Sequence, residues 1–217
     1  MDNLSLMQKF AIWVLPVMFA ITVHEVAHGW VAKRYGDNTA WMLGRLTLNP
    51  LKHIDLVGTI LVPGLLLAFS GFVFGWAKPV PINGNNLRNP KKDMAIVALA
   101  GPIANFLMAL GWALLIRLAV FIDVEMISVP LIYMGMAGIL INAVLGVLNL
   151  LPIPPLDGSR IVTRFLPNHL ALKYNQLERY GFMILVALMM TDMLGEILGY
   201  PLSVAQNFFF SIAGLPL

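Results

Sequence analysis

Long stretches with hardly a charge set the architecture of this chain before any other signal is read. Phe10 to Ala32 is broken only by His24, Glu25 and His28, while Leu56 to Ala77, Met94 to Ile116 and Met126 to Leu156 carry no charged residue at all. A shorter run, Tyr180 to Thr191, precedes Ile197 to Leu217. About 20 apolar residues in a helix span the roughly 30 Å of hydrocarbon in a bilayer, where each backbone polar group must find its partner inside the chain. The fold class expected is therefore an all-α polytopic membrane protein of about five to six membrane helices, a single membrane-embedded domain over residues 1–217. Composition agrees: 59% of the 217 residues are hydrophobic and 12% are charged, about half the usual charged share. The absence of cysteine excludes disulfides, thiolate zinc sites, iron–sulfur clusters and cysteine nucleophiles, so any metal must sit on His, Asp or Glu. A net charge of +3 is too small and too dispersed for a nucleic-acid partner. The partner the surface implies is the lipid bilayer.

The basic residues report sidedness. Twelve of the 14 Lys and Arg fall into three clusters, Lys33/Arg34/Arg45/Lys52, Lys78/Arg88/Lys91/Lys92 and Arg160/Arg164/Lys173/Arg179. The positive-inside rule puts all three on the cytoplasmic side, and the acidic pairs Asp123/Glu125 and Asp192/Glu196 fit the opposite face. A signal peptide has a basic start, a short apolar run and a small-residue cleavage site, whereas the first run continues past its ionisable residues to Lys33-Arg34, so it is expected to be a retained helix. Leu56 to Ala77 cannot cross fully without separating the first two basic clusters. Its Val62-Pro63-Gly64 break divides it into pieces too short to span, which predicts a re-entrant or interfacial hairpin. An ordinary kinked span is the alternative, because membranes tolerate proline well.

Within the first run, Val23-His24-Glu25-Val26-Ala27-His28-Gly29 contains H-E-x-x-H. Two histidines four apart on a helix share a face one turn apart and can hold one cation. The motif arises in about one in a thousand shuffles of this composition, and three ionisable groups in one turn of a membrane helix demand a function. Interhelical polar glue or a proton pathway is the blander reading of the same residues. A catalytic zinc needs a third protein ligand and an open position for water. Asp157 is the candidate, delivered by Asn149-Leu-Leu-Pro152-Ile-Pro154-Pro155-Leu-Asp157-Gly158, whose prolines forbid a continuous helix. Irregular backbone at membrane depth survives only where it is buried or lines a wet cavity. Two crossings, Met94 to Ile122 and Met126 to Leu148, bring Asp157 back to the face of His24 and His28, provided Leu56 to Ala77 does not span. His53, in an Asn-Pro loop, is not expected to join them.

These residues resemble the site-2 protease family of intramembrane zinc metalloproteases. The matching features are His24-Glu25-Val-Ala-His28, the N-x-x-P-x-P-x-L-D-G pattern from Asn149 to Gly158, and Ala100-Gly101-Pro102-Ile103-Ala104-Asn105-Phe106. The likeness covers roughly residues 10 to 166. It implies zinc ligated by His24, His28 and Asp157, Glu25 as general base, and Asn149 holding substrate or a developing oxyanion; Asn105 is a further candidate substrate contact, or a hydrogen-bond partner near the metal. The implied activity is endopeptidase cleavage in or near a transmembrane segment of a substrate protein, at a site near the cytoplasmic side. No periplasmic binding-domain insertion and no fused regulatory domain are expected. A helical substrate must be unwound before cleavage, and Gly75 to Asn83, with its spaced prolines, is expected to be a short edge strand that pairs with it; an interfacial loop is the alternative. An inactive membrane scaffold and a proton- or ion-coupled transporter are the competing functions, although no internal repeat supports the second.

Overall fold

The computed structural model describes residues 4–62, 65, 75–122 and 124–215. Helix α1 runs Leu6–Arg34, opened by a capping box in which Ser5 accepts from the Gln8 backbone and the Gln8 side chain accepts from Ser5. Lys33 and Arg34 close it, cations at the negative end of the helix dipole. A single turn, α2 (Thr39–Met42), follows. Helices α3 (Pro90–Ile122) and α4 (Glu125–Asn149) form a tight antiparallel pair, then come α5 (Asp157–Phe165), α6 (Asn168–Asn175), α7 (Gly181–Met190) and α8 (Met193–Ala213).

Three helices, α1, α3 and α4, have the length and apolarity to cross a membrane; a fourth span results only if the pair 168–190 and 193–213, bent by 85°, counts as one broken crossing. Five to six membrane helices are thus not reached among the described residues. The bend at Asp192, whose φ is +57°, separates two apolar stretches that the sequence lists as successive spans. Multi-pass integral membrane architecture follows from the three long helices all the same.

α3 is the central element, packing on α4, α1, α5 and α8. Small residues allow the approach: Ala109, Ala113 and Ala119 of α3 and Ala137 and Ala143 of α4 have no exposed surface. Without a hydrophobic drive between helices in lipid, such small faces let backbones close up and maximise dispersion contacts. Phe209 and Phe210 of α8 complete this core against Ile116 and Ile139.

The chain between α1 and α3 returns to the side it left. Arg88 N donates to Tyr35 O at 3.1 Å, Lys78 N to His53 O at 2.9 Å and Trp76 N to Gly58 O at 3.0 Å. The described ends of Leu56 to Ala77 therefore lie side by side, the first as a π-helical turn over Leu56–Leu61. The middle of the expected hairpin, residues 63–64 and 66–74, is outside the described residues, as is Asp123. No β-strand forms among the described residues, and 75–83 is irregular. Pro79 and Pro81 remove two N–H groups, and those of Trp76, Lys78, Val80 and Asn83 are taken by loop carbonyls and carboxylates, so no ladder can build on that side.

Candidate metal centre

His24 and His28 lie on the buried face of α1, 8% and 7% exposed. Asp157 reaches them as the first residue of α5, after the turn over 150–156 that the prolines impose. His24 Nε2 stands 3.0 Å from His28 Nε2, and Asp157 Oδ2 stands 3.2 Å and 3.3 Å from the two nitrogens. These three residues are the one group of potential ligands that converges among the described residues.

The outer face of each imidazole fixes its tautomer. His28 Nδ1 donates to Val97 O at 2.7 Å, an acceptor that has no proton to give. For His24 the argument runs through two amides. Asn142 Nδ2 donates to Gly138 O, which leaves Asn142 Oδ1 to accept from Asn105 Nδ2; the same Nδ2 donates to Ala20 O. Asn105 must then turn Oδ1 to the imidazole and accept from His24 Nδ1, at 2.6 Å. Both Nε2 atoms thus point bare lone pairs inward. Asp157 Oδ2 is buried and takes no hydrogen bond.

Three lone-pair atoms about 3 Å apart, with no proton among them, repel one another unless a cation sits between them. Ligands about 2.0–2.1 Å from a tetrahedral zinc lie about 3.3 Å from each other, close to the edges of this triangle. The donor set thus fits a His₂Asp metal ion, and the acceptors behind both imidazoles are those that ligating histidines need. Gly101 makes room for it: a Cβ there would stand 2.4 Å from His28 Nε2 and 2.5 Å from His24 Cε1.

Glu25, on the same turn, accepts from Val80 N at 2.6 Å through Oε2. Asn105, wholly buried, sits behind His24. Asn149 is not in the cluster; its Nδ2 donates to Leu145 O of its own helix at 2.9 Å. His53 stays apart, donating from Nε2 to Thr47 O at 2.9 Å. Val97 and Asn142 escaped the sequence reading, and Val80 figured in it only as part of the expected strand. Val97 and Val80 contribute through backbone atoms, which leave no side-chain signature.

A helical membrane core that closes a His-Glu-x-x-His turn against an aspartate from another element has the architecture of a membrane-embedded metallopeptidase. The comparisons agree. The model of Peptidase family M50 matches residues 125–191. YwhC of Bacillus subtilis, which bears the name of a zinc metalloprotease, is 39% identical over 193 residues, covering 87% of this chain and 84% of that one. Rip2 of Mycolicibacterium smegmatis, similarly named, is 31% identical over 195 residues, 89% of this chain and 72% of its own. A zinc metalloprotease of Methanocaldococcus jannaschii is 26% identical over 167 residues, 76% of this chain and 38% of its own. No solved structure matches. The chain belongs to peptidase family M50, the site-2 proteases, and is an intramembrane protease.

Proposed function

We propose that this single domain is a zinc endopeptidase in which His24, His28 and Asp157 hold the ion and Glu25 is the general base. The observation that carries the reading is the proton-free triangle of His24 Nε2, His28 Nε2 and Asp157 Oδ2 with edges of 3.0–3.3 Å. A bound zinc ion supplies Lewis acidity there, lowering the pKa of water toward neutrality and polarising the scissile carbonyl. Glu25 takes the proton of the attacking water and passes it to the leaving amine. Val97 and Asn105 keep the two imidazoles neutral and aimed. Asn149, at the end of α4, meets the substrate or the developing oxyanion, exchanging its bond to Leu145 for one to substrate.

The substrate is a transmembrane segment of another protein, unwound at the scissile bond. The stretch 75–83 receives it along the side turned away from Gly58 and His53, where in an extended chain the carbonyls of Ala77 and Pro81 accept from substrate N–H groups. The proximity of the described ends of Leu56 to Ala77 supports a chain that leaves and re-enters on one side. The site lies on the cytoplasmic side, since the three basic clusters gather at the ends of α1 and α4 and the start of α3.

Metal content and cleavage of a single-span substrate, measured together on the purified protein, test the assignment. Wild type and Glu25→Gln should hold one zinc per chain and Asp157→Ala much less, with cleavage by wild type alone, because an amide cannot accept the proton. Full zinc in Asp157→Ala, or cleavage by Glu25→Gln, would refute the corresponding role. A transporter would need none of this arrangement.

A further inference from the structure

We propose that Val80 is a positioning residue for the peptidase reaction, its backbone N–H selecting the orientation of the Glu25 carboxylate. This rests on Glu25 being the general base. The stretch 76–88 is a strap laid across α1 at the turn that carries the motif. It is tied at one end by Lys78 N to His53 O at 2.9 Å and by Arg45 Nη2 to Lys78 O at 3.0 Å. At the other end Asn83 N donates to Asp37 Oδ2 at 2.7 Å and Arg88 N to Tyr35 O. Asp37 is a firm anchor: burial raises its carboxyl pKa, but hydrogen bonds from the Thr39 side chain, Asn86 and the backbones of Asn83 and Thr39 outweigh this and lower it.

Between these anchors Val80 is 5% exposed. Its side chain drops onto α1 at Gly29, the residue after His28, where a Cβ would lie 2.8 Å from Val80 Cγ1 and 2.5 Å from Leu46 Cδ2. The sequence Lys78-Pro79-Val80-Pro81 stiffens the crossing. Each proline fixes its own φ and drives the residue before it to extended backbone, so Val80 has little freedom to turn its N–H elsewhere. That N–H meets Glu25 Oε2 at 2.6 Å, a short charge-assisted bond.

A glutamate on a helix face has several accessible rotamers, and general-base catalysis needs the one that puts an oxygen within hydrogen-bond reach of the attacking water. With Oε2 held by Val80, Oε1 is the oxygen left to take the proton. A backbone donor on a proline-braced strap serves this well because it cannot rotate away as a side-chain donor can. The contact also separates two jobs on one strap: the Val80 N–H serves catalysis, and the outward carbonyls serve substrate.

The test replaces Val80 by its α-hydroxy acid, so that an ester oxygen stands where the N–H was, in the full-length protein with its metal. Gly29→Ala is the second variant: it favours helix but crowds the Val80 and Leu46 side chains where the strap crosses α1. Both should lower kcat roughly 10- to 100-fold with KM and zinc per chain unchanged. In the metal-free protein, the carboxylate infrared band that vanishes in Glu25→Gln should shift in the ester variant. An unchanged kcat or an unmoved band in the ester overturns the proposal, as does a kcat loss matched by loss of metal or a rise in KM, which would make the contact a mere anchor of the strap. Cleavage by Glu25→Gln would remove the general-base reading itself, a failure visible apart from that of Val80.

Discussion

Gly101 shows how closely a single residue is tied to the chemistry around it. A methyl group at 101 would press on the Nε2 of His28 and the ring of His24, and both rings are locked from behind by Val97 and Asn105, so neither can yield without giving up a hydrogen bond. Gly101→Ala should therefore weaken metal binding at least about 10-fold while leaving the helix content of α3 intact, as read by titration with a competing chelator and by circular dichroism. Unchanged affinity would mean that the imidazoles can retreat and that their outer bonds are not what aims them. At this scale the sequence was informative where chemistry resides in side chains. His24, Glu25 and His28 stood out because ionisable groups are costly in an apolar run, and Asp157 because a proline-broken stretch at membrane depth leads to it. Asn142 did not, since one amide in a membrane helix reads as interhelical glue, and its part emerges only from the order of donors and acceptors that ends at Gly138 O.

Among the elements, α1, α3 and α4 match the apolar runs that announced them, because a bilayer leaves helix as the only economical backbone state. The stretch 75–83 departs from expectation in an instructive way. Alternating prolines suit an edge strand, yet the N–H groups that would pair are spent on Gly58, His53, Glu25 and Asp37, distant in sequence and so invisible to pattern. The carbonyls of Trp76, Lys78 and Pro79 already accept from Thr59 and Arg45, so those of Ala77 and Pro81 are the ones that stay open to a substrate. The absence of native cysteine makes this testable with one substitution, Lys78→Cys, at an exposed position. That thiol should react with a membrane-impermeant reagent from the cytoplasmic side only and should form disulfides with cysteines placed at alternate positions of a substrate near its cleavage point. Labelling from the outside would reverse the assigned sidedness, and cross-links without a two-residue period would dismiss strand-like pairing.

On the scale of the whole molecule, the proposed ligand set would make the metal a tie between α1 and α5, which otherwise touch little. Two ligands belong to α1, the third belongs to α5, and the irregular turn over 150–156 lies between that aspartate and α4. Removing the ion would leave a buried carboxylate facing two lone pairs, so the first turn of α5 should loosen from α1 while the helix keeps its packing on α3. Zinc at about a thousand times its dissociation constant stabilises by roughly 4 kcal/mol, which corresponds to about 10 °C in a chain of this size. Chelation should lower the unfolding midpoint by about that much and expose the first turn of α5 to hydrogen exchange, with recovery on adding zinc; an unchanged midpoint would show that the triangle holds no ion. The number of crossings was the least legible feature, because apolar length alone does not distinguish a span from the bent pair at Asp192. The strap also bears on how copies of this protein coexist in a crowded membrane. An exposed extended segment is normally an invitation to its own kind, each edge offering the other both halves of every hydrogen bond. Here, from Trp76 to Pro81, every N–H except that of Ala77 is either absent or already donated, so two straps laid side by side would set carbonyl against carbonyl. The surface is sociable toward an unwound foreign helix and mute toward its twin.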